Sequence, residues 1–398
     1  MSEPCFSYAM LERMQPRVIL YVGNFFFSMF AALTTYILLP YLSLFMPAAY
    51  TGLVISGGAL VALALFPLQP LLVARYGAQQ LALLFAIAEM ITMFALAIAP
   101  GAIAAALLVA LSISLQPFLY YEMDLLLEAT VAEEGTTGRV RNLFLTAWNI
   151  GALAAPLLMG ALLAGSNNEY SRVFLAAAAT MVPFVVLFAA RRIPKGLAPK
   201  LSHMRDTFFC IMHDRDLAAV TVGHLILYLF YIWAPLYVPF YLHTVLGVPW
   251  SNLGWMFSIM LIPYTVIQYP AGWVADKILG DKELMFGGFL IAGGALASFS
   301  LLTSASSLGL IVGILVISRV GAALIESMTE GHFFRRVSEK DINSISIFRG
   351  IWPLANLIGP VVGSGILLVA GYHTFFVLTG GFIIIAGVAA TALITDFR

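Results

Sequence analysis

Long apolar stretches alternate with short polar joints along this chain, and that rhythm sets the first expectations. Twelve apolar runs fall at residues 17–41, 49–73, 79–99, 102–124, 142–164, 173–190, 217–241, 251–275, 284–303, 308–330, 346–370 and 373–394. A helix needs about 20 residues to cross the hydrocarbon layer. Backbone groups find no water there, so every run is predicted to be α-helical. The first run is too long for the core of a signal peptide and lacks a small-residue cleavage site, so it is expected to stay as span 1. Within the one long polar segment, 191–216, Leu201, Met204, Phe208 and Ile211 recur at spacings of three and four. That stripe predicts an amphipathic connector lying at the inner membrane surface.

The runs repeat. Glu122, Phe144, Trp148 and Pro156 match Glu326, Phe348, Trp352 and Pro360 at a constant offset of 204. Gly52 and Ser56 match Gly254 and Ser258 at 202, and Gly23 matches Gly223 at 200. Small loop insertions produce such a drift, and a shared offset marks a duplicated chain. In a membrane protein the repeat unit is half of the molecule. The expected architecture is all-α, with twelve spans in two pseudo-symmetric six-helix bundles. Residues 1–190 form one bundle, 191–216 the cytoplasmic linker and 217–398 the other.

Composition agrees with this class. The chain is 61% hydrophobic and 10% charged, where an ordinary soluble domain carries about 25% charged residues. A net charge of zero argues against nucleic acid as a partner. Cys5 and Cys210 are far apart and form no metal or redox spacing, so they are read as free thiols. With the N-terminus inside, eighteen of the twenty Lys and Arg fall on the cytoplasmic side; Arg172 lies outside and Arg319 within a span. The bias places both termini in the cytoplasm and the protein in the cytoplasmic membrane.

The joint after span 8 reads Gly272-Trp-Val-Ala-Asp276-Lys277-Ile-Leu-Gly280-Asp-Lys282. It resembles the loop signature of the major facilitator superfamily, with one extra residue before Gly280. The first-half counterpart, Pro70-Leu-Leu-Val-Ala74-Arg75-Tyr-Gly77-Ala-Gln79, is degraded. Gly359-Pro360-Val-Val-Gly363 resembles the family's Gly-Pro helix motif, and Arg319-Val-Gly321 loosely resembles an arginine-plus-glycine motif usually carried in span 4. The resemblance covers the whole chain, and some branches of the family are drug/proton antiporters. It implies two bundles that rock about a central cavity lined by spans 1, 4, 7 and 10. It also makes Asp276 a gate candidate, reaching the start of span 5 near Arg141, with Gly272, Lys277, Arg75, Asp124 and Arg349 around the inner gate. The plainer alternative is an Asp276 pair with Lys277 or Arg141 that fixes the fold.

Charges inside spans carry the functional candidates, because a mid-bilayer charge costs about 2.5–3.5 kcal/mol even on lenient scales. Arg319 sits midway along span 10, as an anchor for an anionic solute group or as half of an ion pair. Glu326 lies on the same face about 10 Å further in, too far for a direct pair. Glu122, Asp124, Glu326 and Glu330 are expected to pair with Arg75, Lys277, Arg335 and Arg349, or else to switch protonation. Glu89, mid-span 3, and His224, span 7, are further proton-coupling candidates. Asn24, Gln116, Tyr120, Tyr228 and Tyr231 complete a proposed aromatic, polar wall suited to an organic solute. Tyr237 and Tyr241 are set aside as membrane-interface anchors.

No Gly-x-x-x-x-Gly-Lys-Ser/Thr loop, no His-Glu-x-x-His and no other catalytic constellation stands in the chain. The expectation is a monomeric, cofactor-free secondary transporter, not an enzyme. Its partners would be a small organic or amphipathic solute, protons and membrane lipid, with efflux favoured. The alternatives are an organic-anion or metabolite uptake carrier, a lipid exporter, and a non-transporting sensor or scaffold on the same fold.

Overall fold

The computed structural model describes residues 15–98, 101–130, 137–165, 168–193, 204–337 and 342–395. Among them there is no strand. Eleven helices are long and apolar enough to cross a membrane. They are α1 (Pro16–Thr35), α2 (Ala48–Tyr76), α3 (Ala78–Ala97), α4 (Ala102–Ala129), α5 (Leu143–Leu163), α6 (Ser171–Ala190), α7 (Arg215–Val245), α9 (Asp281–Leu301), α10 (Leu308–Arg336), α11 (Ile347–Val369) and α12 (Tyr372–Ala392). The remaining expected span, α8, arrives in three pieces, Trp250–Met260, Ile262–Val266 and Gln268–Lys277. Among the described residues, the number of helices long and apolar enough to cross is therefore one fewer than the hydrophobic pattern predicts. The cause is local: Pro263 and Pro270 have no N–H to give to the carbonyls four residues earlier. The chain turns at Leu261 and at Ile267, each followed by a fresh helical piece. The repeat shows here too, since Pro67 and Pro70 break α2 through a 3₁₀ turn at Phe66–Leu68.

Two compact units emerge, residues 1–38 with 57–200, and residues 39–56 with 201–398. The second unit thus takes in the chain after α1 and the first turns of α2, which the sequence alone would leave with the first half. Gly52 supplies a reason: a Cβ there would strike the Pro360 carbonyl and the Ser364 hydroxyl of α11. The stretch 201–216 also belongs to the second unit. Its helix Met204–His213 turns Ile211 inward and leaves Phe208 exposed. Leu201 and the Met204 side chain lie outside the described residues.

Duplication is written into the packing. In the first unit α1 lies on α5 and α6, and α3 on α4 and α6. In the second, α7 lies on α11 and α12, and α9 on α10 and α12. Each contact has its counterpart one half-chain away. Helices without water between them attract through close backbone approach at small residues. Accordingly, a Cβ at Gly321 of α10 would stand 2.7 Å from the Gly288 carbonyl of α9, and one at Gly288 would stand 2.9 Å from the Gly321 carbonyl. Gly293 of α9 and Gly380 of α12 make the same reciprocal approach.

The two signature glycines have a conformational task. Gly77 (φ 88°) joins α2 to α3, and Gly280 (φ 130°) joins α8 to α9. Side chains avoid these left-handed values, and glycine does not.

Candidate functional site

In the first unit the expected polar wall is largely committed to packing. Asn24 is buried, and its amide donates to the Phe144 carbonyl at 2.8 Å, tying α1 to α5. That bond takes one of the two N–H groups of the amide and gives Asn24 a role in packing within the bundle. Tyr120 packs between Phe27 (4.6 Å between centroids) and Trp148 (4.9 Å). Gln116 donates weakly to Ser112 Oγ at 3.4 Å, one turn back on α4. Two carboxyls remain. Glu89 of α3 and Glu122 of α4 are both fully buried, and no oxygen of either has a partner in hydrogen-bond geometry. Arg75 is exposed and lies over the ring of its neighbour Tyr76. Asp124 is half-buried beyond Glu122. The side chain of Arg141 lies outside the described residues.

The second unit holds a different population. Arg319 of α10 is only 3% exposed. Its guanidinium sits 5.1 Å from the Phe230 ring centroid, and its Nη1 has no hydrogen-bond partner. A cation over a ring face gains about 0.5–2 kcal/mol, well short of replacing a missing hydrogen bond and counter-ion. Next to it on α7, Tyr231 has a buried hydroxyl without a partner in hydrogen-bond geometry, and its ring lies 6.0 Å from those of Tyr228 and Tyr264. Two turns further along α10, Glu326 Oε2 accepts from Gln268 Nε2 of α8 at 3.0 Å. One turn further, Glu330 pairs with Arg349 at 2.6 Å. Of the expected inner pairings this one forms, while Arg335 goes to Asp281 and Glu326 to an amide. Lys277 is exposed, Gly272 half-buried, and the Asp276 side chain lies outside the described residues.

The repeat explains part of this. Asn24 and His224 follow the matched glycines Gly23 and Gly223, and each meets the matched phenylalanine. Asn24 bonds the Phe144 backbone, while His224 stacks on Phe348 at 4.1 Å. His224 Nδ1 also lies 3.0 Å from Thr329 Oγ1. Glu122 and Glu326 are matched as well. At the offset of spans 2 and 8, Gln268 corresponds to Phe66, so the amide that serves Glu326 has no equivalent at Glu122.

Tyr237 and Tyr241 correct the interface-anchor reading. Both are buried; Tyr237 donates to the Pro360 carbonyl at 3.2 Å and Tyr241 to the Leu302 carbonyl at 3.0 Å. Trp233 donates to the Gly359 carbonyl at 2.8 Å. The aromatic run of α7 therefore staples that helix to its neighbours.

Sequence reading also missed a cluster in the second unit where α7 and α9 begin and α10 and α12 end. His332 of α10 is 1% exposed, with Nδ1 2.9 Å from Asp281 of α9 and Nε2 2.9 Å from Asp216 of α7. Arg335 pairs with Asp281, and Arg336 with Asp216 at 2.5 Å. The Thr395 amide, just beyond α12, donates to Asp216 at 2.6 Å. Four helix ends meet there. The partners lie 51, 116 and 179 residues apart, so no local spacing could have revealed them. No group of three or more His, Cys, Asp or Glu able to hold a metal is found among the described residues.

Comparison with known proteins adds to this geometry. Residues 220–396 match the family model described as Major Facilitator Superfamily. No curated protein matches the chain at a significant level. Among solved structures, the nucleoside transporter NupG is similar with a TM-score of 0.74 at 15% identity, covering 96% of this chain and 99% of that one. The peptide transporter POT in complex with sulfate gives 0.73 at 14%, covering 97% and 96%. A bacterial homologue of the human lysosomal transporter Spinster gives 0.69 at 14%, covering 99% and 97%. The chain shares the fold of these transporters over nearly its whole length, and its second half matches the Major Facilitator Superfamily model. That family and these neighbours are transporters, not enzymes.

Proposed function

We propose that the protein is a secondary active transporter that carries a small organic or amphipathic solute across the cytoplasmic membrane by alternating access, as a proton-coupled monomer running in the efflux direction. The observation that carries the reading is Arg319, a buried cation with an unpartnered Nη1 beside Phe230 and Tyr231. A guanidinium kept so expensively inside a span marks a solute path. Tyr228 and Tyr231 supply an aromatic surface for an organic solute. Glu122, buried and without a hydrogen-bond partner, and Glu89, buried beside Ser112, are the proton carriers, with Glu326 and His224 in support. Asp276 and Lys277 serve the inner gate with Gly272, Arg75, Asp124, Arg141 and Arg349, and both ends of the chain face the cytoplasm. The test is reconstitution into liposomes with an imposed pH gradient and a screen of candidate solutes. At least one organic solute is expected to move with the gradient imposed and to stop when it is collapsed, and Arg319→Gln is expected to abolish that movement. Gradient-independent flux, or full activity in Arg319→Gln, overturns the proposal.

A further inference from the structure

Resting on the transport reading, the geometry points to the chemical class of the solute. Two opposite charges on one helix lack an ionic partner among the described residues. Arg319 has a buried, unpartnered Nη1, and Glu326 is met by neutral groups, the amide of Gln268 and the hydroxyl of Tyr231, with no ion pair of its own among the described residues. The second acid on that face, Glu330, is already neutralised by Arg349. Arg319 and Glu326 are seven residues apart, two turns of helix, so they share a face and stand about 10 Å apart along the axis. No ion pair joins them among the described residues. Tyr231 lies within electrostatic reach of both, with a buried hydroxyl and ring neighbours Tyr228, Phe230 and Tyr264.

We infer that this face of α10 takes a dipolar solute, with an anionic group on Arg319, a cationic or strongly donating group on Glu326, and a flat apolar middle against Tyr231. Each end answers a charge that the fold leaves without a counter-ion. A carboxylate accepts two parallel bonds from a guanidinium fork. An ammonium donates to a carboxylate that already holds one amide. The apolar middle covers rings that favour flat partners. A solute with one charge leaves the other buried group without an ionic partner, and sites built for polar groups discriminate strongly against analogues that lack them.

Three probes separate the ends: para-aminomethylbenzoate, which carries both charges across a ring, benzoate, and benzylamine. Calorimetric titration of the purified full chain in lipid nanodiscs is expected to show the first binding at least tenfold more tightly than either of the others. Arg319→Gln is expected to erase the advantage over benzylamine, and Glu326→Gln the advantage over benzoate. Arg319→Lys and Glu326→Asp keep the charges and are expected to keep the ranking, which separates recognition from misfolding. Equal binding of the three probes, binding of none to the parent protein, or neutral variants that weaken all three alike each overturn the inference. Cysteine accessibility from the two membrane faces, measured on the same protein without probe, judges transport by itself. Alternation without a dipolar preference leaves the transport reading standing and removes this one.

Discussion

Replacing His332 with alanine tests how much its cluster contributes. The ring holds one carboxylate at each nitrogen, Asp281 and Asp216, both at 2.9 Å. Two donated bonds require both ring nitrogens to carry protons, so each bond is charge-assisted. Such bonds contribute about 1.5–3 kcal/mol apiece. Arg335, Arg336 and the Thr395 amide remain to serve the carboxylates, which puts each loss at the lower end. The expected cost of His332→Ala is therefore about 3 kcal/mol in total. For a unit of this size that lowers Tm by roughly 6–12 °C. Intrinsic tryptophan fluorescence during a thermal ramp in detergent reads it directly. His332→Gln keeps one N–H and should lose about half as much; His332→Phe fills the space without donors and should lose as much as alanine. A His332→Phe variant that melts with the parent protein would refute the argument, since the volume would then matter and the bonds would not.

Three further outcomes follow from particular contacts. Gly380→Ala should destabilise by about 1–3 kcal/mol, because the new methyl meets the Gly293 carbonyl and the Ala297 amide of α9. Its neighbour Gly381→Ala meets open space and should be neutral or better, so paired thermal ramps that fail to separate the two variants count against the packing scheme. Glu122→Gln should cut pH-gradient-driven flux in liposomes at least tenfold while leaving solute exchange at equal pH intact; unchanged driven flux removes Glu122 as proton carrier. Tyr237→Phe should cost about 1 kcal/mol by leaving the Pro360 carbonyl without its donor, and a Tm equal to that of the parent protein would show that the bond contributes nothing.

The sequence made the frame legible because lipid leaves the backbone few options: apolar run length gives the spans, and constant offsets give the repeat. Arg319 stood out for the same reason, as a charge where hydropathy forbids one. Span 8 broke because two prolines outweigh a continuous apolar run, a local effect hidden beneath the average. Tyr237 and Tyr241 were misplaced because position along a span says nothing about which way a ring turns, and only the neighbouring carbonyls of Pro360 and Leu302 decide it. The Asn24 bond to the Phe144 carbonyl was hidden likewise, since the two residues lie 120 positions apart. The His332 cluster needs four chain segments brought to one point, information that no single stretch contains.

The glycine contacts on both sides of α9 carry a mechanical consequence. Helices held backbone to backbone at Gly288–Gly321 and Gly293–Gly380 have no side-chain cushion to deform. Near Arg319, α10 is therefore braced directly against α9, and α9 in turn against α12, so that the three form a single keel within the second unit. Flexure is left to α8, whose hydrogen-bond ladder is already cut at Leu261 and Ile267 and which bends there without breaking anything new.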